Sequence, residues 1–265
     1  MSLSAEPLTP RRTRIKLDLP DGAVDAEVED RPPAPAATSD PVTLRDTPPL
    51  GLRTEFWNTL THGSGAIAAV LGAGLVLPRL VAGETIRGST STGATPVEWT
   101  AWLVYLAALV YLYAASGLSH YYSWRLDRPK RGFWRRQDQV GILAVAFGSF
   151  APLAVHSEGI GRAVLPLMGL VVGGLLIALL THRRRTLSPL YLAHIGWLPP
   201  LALFDLIRLG GAWGVLLGFG GCAAYLGGLF FLMNDARRWW FHPVWHLTAV
   251  TGSVLHFVFL TTYCL

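Results

Sequence analysis

Long runs of apolar residues dominate the chain from residue 53 onward, and charged residues gather mainly between those runs. Each run is about 20 residues long, which is the length a helix needs to cross the ~30 Å hydrocarbon layer of a membrane. The runs lack the apolar-polar alternation that membrane strands require. The pattern therefore predicts an all-α membrane protein, a bundle of seven transmembrane helices. The predicted spans are 61–82, 98–120, 139–156, 161–181, 187–208, 213–233 and 242–263.

The N-terminal stretch differs from the rest of the chain. Residues 1–50 contain half of the 18 prolines together with acidic and basic residues and no periodic apolar pattern. Such a stretch buries too little apolar surface to offset the entropy lost on ordering. We therefore expect residues 1–52 to form a disordered, Pro-rich cytoplasmic tail and residues 53–265 to form the membrane domain.

Composition excludes several classes of protein. Hydrophobic residues make up 51% of the chain and charged residues 15%, whereas a soluble domain has about 25% charged residues. The net charge of +5 comes from basic residues in short loops and not from one basic face, so no nucleic-acid partner is expected. Two cysteines, Cys222 and Cys264, are too few and too far apart for a disulfide framework.

Positive charge is divided unequally between the loops that seven helices create. The second, fourth and sixth loops carry eleven Lys and Arg residues, whereas the first, third and fifth carry four. Since short loops rich in Lys and Arg stay in the cytoplasm, we predict a cytoplasmic N-terminus and an outside C-terminus. The eleven residues are Arg125, Arg128, Lys130, Arg131, Arg135, Arg136, Arg183, Arg184, Arg185, Arg237 and Arg238.

Ionisable residues at membrane depth are costly and therefore indicate functional sites. His120 ends the second predicted helix and Ser116 lies one turn before it; Asp138 opens the third, and His242 and His246 open the seventh. In the predicted topology all of these helix ends face the cytoplasm. We therefore expect the five side chains to lie in one layer, although the sequence separates them widely.

The spacing of the histidines is typical of a metal site. Residues four apart share one face of a helix, so His242 and His246 point to the same place. Three imidazoles suit Zn²⁺ and leave a fourth position for a water whose pKa falls to about 7. Asp138 would hold or deprotonate that water, and Ser116 would hydrogen-bond it or the developing oxyanion. The alternative is that the paired histidines only hydrogen-bond to their neighbours.

Four motifs resemble the hemolysin III family, the bacterial branch of the progestin and adipoQ receptor family. The first is the stretch 55–63 with sequence EFWNTLTHG, the second is SGLSH at 116–120, the third is DQVGI at 138–142 and the fourth is HPVWHL at 242–247. The resemblance runs from Glu55 to the end of the chain. It implies seven helices with a cytoplasmic N-terminus, zinc bound by His120, His242 and His246, and water-mediated or catalytic roles for Asp138 and Ser116.

The resemblance also extends to alkaline ceramidases, which share this polar set and hydrolyse lipid amides. The expected function is therefore that of a zinc-dependent intramembrane hydrolase acting on the amide bond of a membrane lipid, in the bacterial inner membrane. The alternatives are a receptor or membrane-regulating protein with structural zinc, in which a lipid is ligand and not substrate, and a pore-forming hemolysin. The pore is disfavoured because no predicted helix carries a polar stripe along its whole length.

Overall fold

The computed structural model describes residues 12–19, 22–29, 51–83, 94–181 and 199–265. The chain divides into two compact units, Met1–Pro41 and Val42–Leu265. In the first unit, strands β1 (Arg12–Leu19) and β2 (Gly22–Glu29) pair antiparallel, with Arg12 opposite Glu29 and Leu19 opposite Gly22. The expectation of a disordered tail did not include this hairpin. Its signal in the sequence is the alternation of Ile15, Leu17 and Leu19 with charged residues.

The described part of the second unit, 51–83, 94–181 and 199–265, is helical. Six segments of it are long and apolar enough to cross a membrane, which confirms a multi-pass membrane protein. Of the fifth predicted span, residues 187–198 lie outside the described residues, so the seven-span topology stays a prediction. The helices are α1 (Leu52–Ala82), α2 (Pro96–Trp124), α3 (Arg128–Gly148), α4 (Ala151–His156), α5 (Val164–Thr181), α6 (Leu203–Met233) and α7 (Phe241–Tyr263). Short 3₁₀ turns occupy Gly159–Ala163, Pro199–Ala202 and Asp235–Arg237.

The chain reverses direction inside α6. Gly211 has φ 55° and ψ −141°, a backbone conformation that glycine adopts without steric cost. A Cβ atom on Gly218 would lie 2.8 Å from Leu206 Cδ1, and one on Gly214 would overlap the Leu206 carbonyl oxygen. Residues twelve apart in a straight helix are separated by about 18 Å. The segments 203–210 and 212–233 are therefore two helices packed side by side, as the predicted break between 208 and 213 requires.

One face of α1 is buried along its whole length. Near the start of the helix this face carries Glu55, Asn58 and His62, each at most 4% exposed. Further along, the same face carries small and apolar residues, Gly65, Ala69, Gly72, Val76 and Leu80. Since positions three and four apart share a helix face, α1 presents polar groups to the interior at one end only.

Close packing of α2 against α3 fixes the register of two predicted site residues. The connection between these helices is only residues 125–127, so the two run antiparallel. A Cβ on Gly141 would lie 2.7 Å from Leu112 Cα, and one on Gly148 would lie 3.2 Å from Tyr105 Cα. This register brings Asp138 of α3 beside Ser116 of α2.

We expect Gly141→Ala to destabilise the protein, because the added methyl group forces the α2 backbone away. The expected cost is about 1–3 kcal/mol, seen as a fall in the melting temperature of several degrees in detergent. The matched control is Gly132→Ala in the same helix, where a Cβ meets nothing within 4 Å and better helix propensity favours alanine. Equal melting temperatures for the two variants would contradict the close packing.

Candidate metal centre

Three buried histidines converge where α2 ends and α7 begins. One ring nitrogen from each of His120, His242 and His246 lies within 4.8 Å of the others, and the three can hold a metal ion. Their ring centres are separated by 4.7 Å between His120 and His246, 4.8 Å between His242 and His246, and 5.2 Å between His120 and His242. The helical spacing of four residues places the α7 pair on one face, and the end of α2 supplies the third ring.

The Nδ1 atoms of two of these histidines meet carboxylates. Glu55 Oε2 lies 2.6 Å from His120 Nδ1, and Asp235 Oδ2 lies 3.0 Å from His242 Nδ1. Glu55 is 1% exposed, so its pairing is not weakened by bulk water. A carboxylate that accepts from Nδ1–H leaves the lone pair on Nε2. Such pairs of carboxylate and imidazole orient metal-binding histidines and fix their tautomer.

The Nδ1 atom of the third histidine, His246, also has a hydrogen-bond partner, which α1 supplies. Thr61 Oγ1 lies 3.4 Å from His246 Nδ1, and the Thr61 hydroxyl donates to the backbone carbonyls of Trp57 and Asn58 at 2.9 and 3.0 Å. With its proton directed to these carbonyls, Oγ1 acts as an acceptor for the imidazole N–H. Each of the three rings therefore has an acceptor beside Nδ1, and a proton on Nδ1 is the tautomer that leaves the Nε2 lone pair for a metal ion.

A fourth histidine lies beside the centre but is not oriented as a ligand. The rings of His62 and His246 stack with their centres 3.7 Å apart and their planes 22° from parallel. A metal ion lies close to the plane of each imidazole that binds it, about 2.0–2.1 Å from the nitrogen. Two stacked rings do not share one ion in this way, and within the described residues the centre is a three-histidine site.

Ser116 and Asp138 form a pair next to this centre. Ser116 is 1% exposed and lies one turn before His120, and its side chain hydrogen-bonds the Asp138 carboxyl group. Asp138 is half-buried and does not belong to the group of mutually close metal-binding atoms, which among the described residues is the three histidines. Asp138 is therefore not one of the candidate metal ligands. This position agrees with the predicted role of a group that holds a water or accepts its proton.

The structure thus brings together the three predicted metal ligands and joins the two predicted catalytic residues to each other. The sequence analysis missed the roles of Glu55, Thr61 and Asp235 as partners of the imidazoles. The available signal for Glu55 was its place in the 55–63 motif, on the same helical face as His62 and two turns before it. Asp235 gives no such signal, because it belongs to a short polar turn between α6 and α7.

One histidine and one aspartate elsewhere in the bundle, His256 and Asp205, have hydrogen-bond partners unrelated to the three-histidine centre. The His256 ring Nε2 lies 3.1 Å from the Gly218 carbonyl. Asp205 Oδ1 accepts from Arg208 Nη2 at 3.3 Å and from the Glu158 backbone N–H at 3.0 Å. These contacts stabilise the bundle away from the three-histidine centre.

Removing the carboxylate behind His120 should weaken metal binding without abolishing it. For Glu55→Gln we expect a loss of about 10–100-fold in zinc affinity, because the amide no longer favours the Nδ1–H tautomer as strongly. Competition with a chromogenic chelator measures this change. The control is Glu158→Gln, whose carboxylate pairs with Arg208 at 3.3 Å and should leave the affinity unchanged. Equal affinities for both variants would show that Glu55 does not support the centre.

Comparison with known proteins supports the motifs on which the centre is built. A family described as haemolysin-III related matches residues 50–257. A protein named Hemolysin-3 from Bacillus cereus is 28% identical over 220 residues, which cover 81% of this chain and 93% of that protein. The matched region contains the whole three-histidine centre, its partners on α1, and the Ser116–Asp138 pair.

Proposed function

The chain belongs to the haemolysin-III related family, and we propose that it is a zinc-dependent hydrolase of lipid amides in the membrane. The observation that carries the proposal is the set of three buried imidazoles whose Nδ1 atoms are all engaged, so that three Nε2 atoms remain for one ion. Three imidazole ligands, two of them with carboxylate partners behind them, match the donor set of catalytic zinc sites, which keep a fourth position open.

Zinc held there would supply a Lewis acid and a water of lowered pKa. The residues of the chain would do the rest. His120, His242 and His246 hold the ion at a fixed place near one end of the bundle. Asp138 accepts the proton of the attacking water and passes it to the leaving amine nitrogen. Ser116, which hydrogen-bonds Asp138, orients that carboxyl group while it is ionised. Once Asp138 has taken the proton, the single O–H donor of Ser116 is free to stabilise negative charge on the acyl oxygen.

The location of the centre supports a lipid as the substrate. All three ligands lie within helices long and apolar enough to cross a membrane, and they lie near the helix ends, where a lipid carries its polar linkage. An amide bond at that depth reaches the centre while its acyl chain stays in the hydrocarbon. We propose that this end of the bundle is cytoplasmic, because the basic residues from Arg125 to Arg136 and Arg237 with Arg238 lie at the same end.

The experiment that tests the proposal is the release of free fatty acid from N-acyl sphingoid and N-acyl amine lipids by the purified full-length protein. We expect release by the zinc-loaded protein, loss of release after zinc is removed with a chelator, and recovery when zinc is returned. Release that is unaffected by zinc removal would contradict the zinc mechanism. No release from either lipid class, by a sample shown to hold zinc, would contradict the hydrolase.

A receptor or membrane-regulating protein with structural zinc is the second candidate, and one observation favours it. The centre joins three helices, since α2 and α7 supply the ligands and α1 supplies Glu55 and Thr61 behind them. An ion bound there would connect these helices and stabilise the bundle, whether or not it also takes part in a reaction. On this proposal zinc removal lowers the melting temperature strongly while no lipid is hydrolysed at any zinc concentration.

A further inference from the structure

The imidazole of His62 is held in one orientation by two aromatic neighbours. It stacks on His246 at 3.7 Å between ring centres, and the ring of Tyr113 meets it edge-on, at 5.2 Å and 90°. Tyr113 is itself anchored, because its hydroxyl lies 2.7 Å from Ser253 Oγ and 3.2 Å from the Ala249 carbonyl oxygen. The His62 ring is therefore pre-oriented beside the metal centre and does not turn freely.

The hydrogen-bonding capacity of His62 is unused within the described part of the chain. The residue is 4% exposed, and neither Nδ1 nor Nε2 has a hydrogen-bond partner among the described residues. Buried polar side-chain atoms nearly always have a partner, so an exception of this kind points to a ligand. The contrast with His256 of α7 is informative, because that half-buried ring binds the Gly218 carbonyl.

The surroundings of His62 indicate where its partner would lie. The ring touches the proposed zinc ligand His246 and interacts electrostatically with His120 and His242. It is not oriented to bind the same ion as the ring on which it stacks. A group bound at the fourth position of the ion would be within reach of an N–H on His62. A neutral imidazole has one such donor, and a carbonyl oxygen has only acceptor capacity.

We infer that His62 donates a hydrogen bond to the carbonyl oxygen of an acyl compound, an amide or a close analogue, bound at the open position of the metal centre. The inference rests on the proposed zinc site and adds a ligand-contacting residue from α1 to it. The stack on His246 and the edge of Tyr113 keep the donor in place before the ligand arrives. Less conformational freedom is then lost on binding, which favours affinity.

The test uses full-length protein in detergent with Co²⁺ in the centre and acetohydroxamate as the probe, since Co²⁺ absorption in the visible range reports changes in its ligands. We expect the dissociation constant for acetohydroxamate to rise about tenfold in His62→Phe, as the loss of one hydrogen bond predicts. Phenylalanine keeps a ring for the stack but has no donor. His62→Gln restores an N–H donor and should recover part of the affinity. His256→Gln is the control and should bind as the wild type does.

Two results would overturn the inference while leaving the zinc site intact. One is equal acetohydroxamate affinity in the wild type and His62→Phe. The other is a changed Co²⁺ spectrum or stoichiometry in His62→Phe before the probe is added, which would make His62 a metal ligand. Failure of the wild type to bind Co²⁺ or Zn²⁺ would overturn the zinc site itself and the inference with it. If His62→Phe does not fold, the acetohydroxamate affinities of His62→Gln and His62→Ala are compared instead, because glutamine keeps an N–H donor and alanine does not. Equal affinities of these two variants would overturn the inference.

Discussion

Replacing both histidines of α7 is expected to remove the metal from the protein. In His242→Ala/His246→Ala two of the three ligands are lost, and His120, which is held by Glu55 at 2.6 Å, is the one ligand that remains. The apparent free energy of zinc binding at structural sites is on the order of 10–16 kcal/mol. Because this energy is shared among the ligands, the double replacement should weaken binding by several orders of magnitude.

The measurement is metal content per chain of detergent-purified protein that has never met a chelator. We expect close to one zinc ion per chain in the wild type and a background level in the double variant. His256→Ala is the matched control, because it removes an imidazole from the inward face of the same helix, where its partner is the Gly218 carbonyl. Its zinc content should equal that of the wild type.

Retention of zinc by a folded double variant would place the ion somewhere other than the three-histidine centre. Absence of zinc from the folded wild type would reduce the centre to a cluster of hydrogen-bonded histidines, and the hydrolase proposal would fall with it. The two outcomes are separable, because the first appears as zinc in both samples and the second as zinc in neither.

Replacing Asp138 should abolish lipid hydrolysis and leave the metal in place. In Asp138→Ala and Asp138→Asn the group proposed to move the proton is gone, and general acid-base catalysis of this kind contributes about 10²–10⁴-fold in rate. We therefore expect fatty acid release to fall by that factor. The zinc content should remain near one ion per chain, since Asp138 lies outside the ligand set. Asp138→Asn also keeps a hydrogen-bonding partner for Ser116, so a packing defect does not explain its loss of rate.

The control for Asp138 is Asp127→Asn at the start of the same helix. Asp127 caps α3 by accepting from the Lys130 backbone N–H at 3.2 Å, and asparagine is an equally good capping residue. This variant loses a carboxylate of α3 without losing the helix start, and its activity should match the wild type. Unchanged activity in Asp138→Ala would remove Asp138 from the mechanism. Full zinc occupancy with no hydrolysis in any sample, including the wild type, would favour the receptor with structural zinc.

The membrane helices could be predicted from the sequence because the length and hydropathy of a span are local properties. The predicted ends of the helices differ from the observed ends. The first predicted span begins at residue 61, whereas α1 begins at Leu52. The additional turns contain Glu55 and Asn58, polar residues that lower the hydropathy of the window, although both face the interior of the bundle and are at most 1% exposed. Hydropathy measures the side chain, and burial depends on what surrounds it.

The three candidate metal ligands could also be predicted from the sequence, for a different reason. The spacing of four residues places His242 and His246 on one helix face, and the alternation of helix direction in a membrane places the end of α2 level with the start of α7. Both arguments use only geometry that every helix shares. The same holds for Ser116 and Asp138, which a short antiparallel connection brings together.

The sequence by itself therefore determined a helical membrane protein, the level at which its polar residues lie, and the identity of the three clustered imidazoles. The tertiary structure decided which partners hold each ring and that His62 stacks on His246 instead of joining the ligand set. Glu55 pairs with a residue 65 positions away, and Thr61 with one 185 positions away. Contacts of this range depend on the rotation of each helix about its own axis. That rotation is fixed by the packing of neighbouring helices, through close approaches such as that of Gly141 to Leu112, and not by any local pattern in the chain.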